Sequence, residues 1–278
     1  MAGTQESAGG QNGLRAAPPD FDAAAATERE LIDYGLPRRP DAYTRPGLAA
    51  LWDERARRYQ GFGHRRVDPD GVFPEVDQVT GTAAISRRWT CGYTLRSSVP
   101  FVTLLATWTI PNLMYVQSPR LPIDHFHTYV YLGFIDLHIE MTVNQSQEVI
   151  CSPLLGLDIS PGDVMSAVIC MGAEPPGKAT VLVANETSGE TANSSRDTGY
   201  PPAVEIGAGV GRGHPDNPVS SLARFGIVYF DEISATTTDG ARSLPDGEAI
   251  TMVDSSGDTL AKPVRLRDWA FKTVYDAD

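Results

Sequence analysis

Cysteine is scarce in this sequence: Cys91, Cys151 and Cys170 are odd in number, widely spaced and free of any Cys-x-x-Cys pairing. A disulfide-stapled scaffold and a cysteine zinc site are both excluded, and reduced, buried thiols are expected. Basic charge is equally short, with 23 Lys and Arg against 35 Asp and Glu and a formal net charge of -12. Nucleic-acid binders need a basic stripe to displace counterions, so no nucleic-acid partner is expected. Long apolar runs are missing too. The longest, around residues 99–106 and 164–171, are of strand length, far below the roughly 20 residues of a membrane span. No Gly-x-Ser-x-Gly elbow occurs, which removes the usual serine-hydrolase nucleophile. The first residues lack the basic and apolar regions of a secretory leader, so a cytoplasmic location and no membrane association are expected.

What the chain does contain falls into three parts. Residues 1–26, rich in Gly, Ala, Gln and Pro, have the composition of a disordered tail. Residues 27–82 read as a short helical arm. Thr27 to Glu30 form a capping box, and Gly35 and Pro37 supply stop signals. A second helix is predicted from Pro46 to Tyr59, with Leu48, Leu51 and Trp52 on one face. Between Gly35 and Arg66 eight arginines meet three acidic residues, which predicts that this segment docks on the acidic remainder.

From residue 83 to 278 short β-rich runs alternate with turn signals. Examples are Phe101–Ile110, Tyr129–Leu132, Ala179–Ala184 and Phe225–Phe230, with Ser160-Pro161-Gly162-Asp163 suited to a type II turn. This texture predicts an all-β fold: an antiparallel β-sandwich, jelly-roll-like, with a short helical N-terminal arm. Trp89 and Trp108 read as core or sheet-surface aromatics. The run Gly207-Ala208-Gly209-Val210-Gly211, with no helix signal after it, reads as a strand edge or bulge rather than a dinucleotide loop.

Several ordered motifs resemble those of the glutamic peptidases (eqolisins). They are Trp89-Thr90-Cys91-Gly92-Tyr93, Ala106-Thr107-Trp108-Thr109-Ile110-Pro111, Ile159-Ser160-Pro161-Gly162-Asp163, Val183-Ala184-Asn185-Glu186, Leu222-Ala223-Arg224-Phe225-Gly226 and the stretch from Ile250 to Tyr275. Ala26 to Asp41 is similar to the segment upstream of the mature domain in bacterial members. The resemblance implies two curved antiparallel sheets with a substrate groove on the concave face. It also implies a Glu that acts as general base on a water, and a Gln amide that holds the water and the developing oxyanion.

On this resemblance Glu140 stands in the place of the Gln, and Gly209 or, with the strand slid by four, Glu205 stands in the place of the catalytic Glu. Glu140 and Glu205 are therefore the catalytic candidates, with Asp136, His138, Tyr131, Thr142 and Gly209 as groove residues. The family's groove aromatics are mostly replaced. Three function readings stay open. One is a diverged sandwich that binds, and in the wider version transforms, a small-molecule or peptide-like ligand. The second is an acid endopeptidase whose Glu140 and Glu205 share a proton, and the third is a noncatalytic binding module. An enzyme would be a hydrolase relative or a repurposed biosynthetic protein. His125, His127 and His138 lie close in sequence but lack a complete ligand set, so no metal and no cofactor are expected.

Overall fold

The computed structural model describes residues 20–33, 39, 42–43, 46–58, 63–66, 89–116, 122–172, 177–198, 201–213 and 221–277. Two helices come first, α1 (Glu28–Asp33) and α2 (Pro46–Arg58), and among the described residues every later element is a strand apart from a 3-10 turn at Leu244–Asp246. The first strands are β1 (Gly63–Arg66), β2 (Thr90–Arg96), β3 (Phe101–Thr109), β4 (Ile123–Leu132), β5 (Ile135–Asn144) and β6 (Val149–Cys151). Then follow β7 (Val164–Met171), β8 (Gly177–Asn185), β9 (Glu190–Thr198), β10 (Glu205–Gly211) and β11 (Ile227–Thr237). The last are β12 (Gly240–Arg242), β13 (Glu248–Ile250), β14 (Met252–Val253), β15 (Thr259–Arg267) and β16 (Ala270–Tyr275).

They form two sheets. The ten-stranded sheet runs β1-β9-β8-β7-β3-β11-β16-β15-β14, with β12 also on β11, and the six-stranded sheet runs β13-β2-β10-β4-β5-β6. All pairings are antiparallel except β1 on β9. The fold is thus the antiparallel all-β sandwich expected. Ser160 O accepts from Asp163 N–H at 3.1 Å, and Gly162 has φ +93, the geometry a type II turn demands.

Alternation builds the core. In β5 Ile135, Leu137, Ile139, Met141 and Val143 are buried, while Asp136, His138 and Glu140 are exposed. From the other sheet come Leu104, Trp108, Ile169, Val181, Phe230 and Phe271. Phe230 and Phe271 stack at 4.7 Å, and Trp108 Nε1–H donates to Thr128 Oγ1 across the core at 3.1 Å. Trp108 is therefore a core residue whose one polar atom is satisfied.

A second, smaller cluster lies on the other face of the ten-stranded sheet. Leu31 of α1 and Trp52 and Ala56 of α2 pack there against Leu105, Val168, Leu182 and Ala184. The capping box at the start of α1 is formed: Thr27 N–H donates to Glu30 Oε2 at 2.8 Å, and Glu30 N–H to Thr27 Oγ1 at 3.3 Å. In α2 the buried positions are Ala49, Trp52 and Ala56; the side chains of Leu48 and Leu51, and residue Tyr59, lie outside the described residues. Phe21, Ala23 and Ala26 also pack on this cluster, so the packed arm begins inside the span expected as a tail. Residues 1–19 and 67–88 lie outside the described residues. Among the described arginines Arg39 pairs with Asp53 of α2, at 2.6 and 2.5 Å. No described helix is long and apolar enough to cross a membrane.

Candidate functional site

Three registers cross the outer face of the six-stranded sheet. Thr94 of β2 stands beside Gly207, Tyr131 and Asp136; Gly92 beside Gly209, Tyr129 and His138; Thr90 beside Gly211, His127 and Glu140. The glycines of β10 are needed because the β4 rings lie across them. A Cβ on Gly207 would sit 2.4 Å from Tyr131 Cε1, and one on Gly211 would sit 2.1 Å from His127 Nε2. On Gly209 it would sit 2.2 Å from the Cys91 carbonyl oxygen and 2.7 Å from the Tyr129 hydroxyl. The rings form a ladder, with centroids 6.0 Å apart for His127 and Tyr129 and 6.1 Å for Tyr129 and Tyr131. β10 is a regular central strand between β2 and β4, which corrects the expectation of a strand edge or bulge. Glycine here makes room for aromatic side chains from the neighbouring strand.

Tyr129 is buried, and its hydroxyl meets no partner at hydrogen-bonding geometry. Burial holds its phenol far above the ordinary range, offset in part by the Thr90 hydroxyl. Tyr131 is raised as well, first by burial and then by its bond to Glu205. Both phenols stay protonated, and Tyr131 donates to Glu205.

Glu205 closes one end of the ladder. Its Oε2 accepts from Arg96 Nε–H at 2.7 Å and its Oε1 from the Tyr131 hydroxyl at 2.6 Å. Thr94 Oγ1 supports this bond, 2.8 Å from the Tyr131 hydroxyl and 3.0 Å from the Ile206 carbonyl oxygen. The Glu205 side chain is only 12% exposed, and its two oxygens are held from the two flanking strands, β2 and β4.

The β5 side of the face is different. Asp136, His138 and Glu140 are exposed, and Thr142 is half-buried. His138 Nδ1 lies 3.4 Å from Asp136 Oδ2. Hydrogen bonding to Asp136 raises the His138 pKa above its ordinary value, against burial, and the charges of Asp136 and Glu140 add to the rise.

The face therefore gathers all seven candidate residues but does not bring the two glutamates together. Glu205 begins β10, whereas Glu140 stands level with Gly211 at its end, two strands away. At about 3.3 Å per residue and 4.8 Å per strand that separation is on the order of 20 Å, and carboxylates that share a proton lie about 3 Å apart. Gly209, the alternative position for the family's catalytic Glu, has no room for a side chain.

Sequence reasoning missed Arg96, Thr94 and Tyr129, and it weighed His127 only as a metal ligand or a surface or groove-lining histidine, not as one of a row of rings over glycines. The signal for the rings was present as His-x-Tyr-x-Tyr at 127–131 set against Gly-x-Gly-x-Gly at 207–211, both with period two. No cue in the sequence pairs Arg96 with Glu205, which are 109 residues apart. Among the described residues no three His, Cys, Asp or Glu side chains gather as a metal-binding set. The cysteines are free thiols, with burial pushing Cys91 up to about 12 and Cys151 and Cys170 up to about 11. Such thiols are poor nucleophiles at neutral pH.

This two-sheet architecture is that of the glutamic peptidases. It is similar to SCP-B, a member of the eqolisin family of peptidases solved in a complex with the tripeptide Ala-Ile-His, at TM-score 0.53 and 14% identity over 68% of this chain and 98% of that one. Scytalido-glutamic peptidase with a transition state analog inhibitor matches at TM-score 0.53, 14% identity and the same coverage. The same peptidase with a peptide-based transition state analog matches at 0.51 and 15%. Identity at this level shows the fold alone. No protein-family model matches the sequence, and no characterised protein matches it by sequence.

Proposed function

We propose that this chain is a diverged glutamic-peptidase-like sandwich that binds a ligand on the outer face of its six-stranded sheet and does not cleave peptides by the Gln and Glu mechanism. The observation that carries this reading is the occupied β10 row. The rings of His127, Tyr129 and Tyr131 fill the space over Gly211, Gly209 and Gly207, and Glu205 is bound to Arg96 and Tyr131. A general base needs an oxygen that water can reach at hydrogen-bond distance, whereas Glu205 is only 12% exposed and has one oxygen on Arg96 and the other on Tyr131. Glu140 is exposed, and among the described residues its register across β4, β10 and β2 holds His127, Gly211 and Thr90, with no carboxamide or second carboxylate. What this face offers is a polar strip, Asp136, His138, Glu140 and Thr142, suited to binding.

The test is proteolysis of an unfolded protein substrate between about pH 3 and 5, the range in which a carboxylate base of ordinary pKa near 4 works. No cleavage above background is expected, and Glu140→Gln and Glu205→Gln should leave that background unchanged. Robust cleavage abolished by either substitution would establish a peptidase and overturn the proposal.

A further inference from the structure

The six-stranded sheet ends in an incomplete strand. β6 pairs only with Met141, Thr142 and Val143 of β5. One more link extends it: Ser152 N–H donates to Glu140 O at 2.8 Å, and Glu140 N–H to Ser152 Oγ at 2.9 Å. At Pro153, which has no N–H to continue a ladder, the chain turns away. Leu154, Leu155 and Leu157 then seal the core beneath. From Ile135 to Ile139 no described strand lies on the side of β5 away from β4.

Parity decides which backbone groups this leaves open. Glu140 and Asn144 aim their N–H groups at the β6 side, the latter at Glu148 O, 3.2 Å away. A strand repeats every two residues. Asp136 and His138 therefore direct N–H and C=O outward in the same way, while Ile135, Leu137 and Ile139 face β4. The side chains of Asp136, His138 and Glu140 stand exposed beside these open groups on the outer face.

We infer that the Asp136–Glu140 edge of β5 takes up an extended basic peptide as an added strand. The peptide backbone pairs with Asp136 and His138, and its lysine or arginine side chains face the carboxylates of Asp136 and Glu140. This rests on the reading that the outer face binds rather than cleaves. Strand addition draws affinity from main-chain hydrogen bonds and specificity from alternate side chains. The charges choose the occupant. A second copy of this edge would set carboxylate against carboxylate, which disfavours self-pairing, whereas a basic strand brings the opposite sign to a chain of net charge -12.

The experiment titrates the full chain with three short blocked peptides: Lys-Val-Lys-Val-Lys, the same peptide with alternate backbone nitrogens methylated, and Glu-Val-Glu-Val-Glu. Backbone amide shifts and hydrogen exchange of Asp136 and His138 are the readout. The lysine peptide should shift both amides and slow their exchange about tenfold or more at saturation. Methylation, which keeps the charge and removes donors, should weaken binding about tenfold or more, and the acidic peptide should not bind. Asp136→Asn with Glu140→Gln should weaken the lysine peptide several-fold. Equal binding of the methylated peptide would mean that charge alone attracts it, and strand addition would be wrong. Silence of both amides with every peptide would mean that the carboxylates only guard the edge, which also overturns the inference. Cleavage of the lysine peptide would instead sink the binding reading on which it rests.

Discussion

Trp52 is the anchor of the N-terminal arm, and its truncation measures how firmly that arm belongs to the fold. It is 8% exposed and packs with Leu31 and Ala56 on Leu105, Val168, Leu182 and Ala184. A buried Trp removes roughly 150–250 Å² from water, about 4–6 kcal/mol at 25 cal/mol per Å². Residual burial in the unfolded chain lowers that figure, so Trp52→Ala should destabilise by about 3–4 kcal/mol, within the usual range for Trp to Ala. For a domain of this size each kcal/mol lowers Tm by about 2–4 °C, which makes the expected loss about 6–16 °C. The partner contact Arg39–Asp53 has both side chains 31–42% exposed, so Arg39→Ala should cost at most about 1 kcal/mol and still less in high salt. Calorimetry of both variants at low and high salt tests the ranking. A Trp52→Ala protein that melts within about 1 °C of the parent would refute hydrophobic docking. A larger loss for Arg39→Ala would transfer the credit to charge. Deletion of residues 1–66 should then expose the apolar face of Leu105, Val168 and Leu182 and cause association, which light scattering would detect.

Two further outcomes follow from the outer face. Gly209→Glu, the change that restores a carboxylate at the position matched to the family's catalytic Glu, should destabilise by about 3 kcal/mol or more and yield no peptidase, because its Cβ meets a backbone oxygen that cannot move aside; a stably folded, active variant in a denaturation and cleavage assay would show the close approach to be wrong. His138 should titrate above its ordinary value of 6.5 in an NMR pH series, and Asp136→Asn should bring it down. Because the folded pKa is the raised one, its stabilising contribution is complete below the unfolded value and is lost as pH rises through the folded value. The side chain is 50% exposed, so the effect on stability is small, and an unshifted His138 in the parent would contradict the Asp136 contact.

Much of the architecture was legible because it is written in local periods. Strict alternation in Ile135–Val143 announces a strand with one wet face, and Thr27 with Glu30 announces a helix start; each depends on neighbours within a few residues. The helices, the turn at Gly162 and the faces assigned to Glu140 and Glu205 could be read in this way. Three matters were decided only in space. The arm lies on the ten-stranded sheet, away from the candidate site, since the segment's arginines carry no information about which face buries Trp52. Glu205 is bound by Arg96 and Tyr131 from two other strands, a convergence that strand pairing over more than 70 residues of chain creates. The glycines of β10 serve the rings of β4, and the separation of Glu140 from Glu205 follows from register. Period two tells which side a residue faces, whereas the pairing of β10 with β4 and of β4 with β5 sets how far apart two residues on that side will stand.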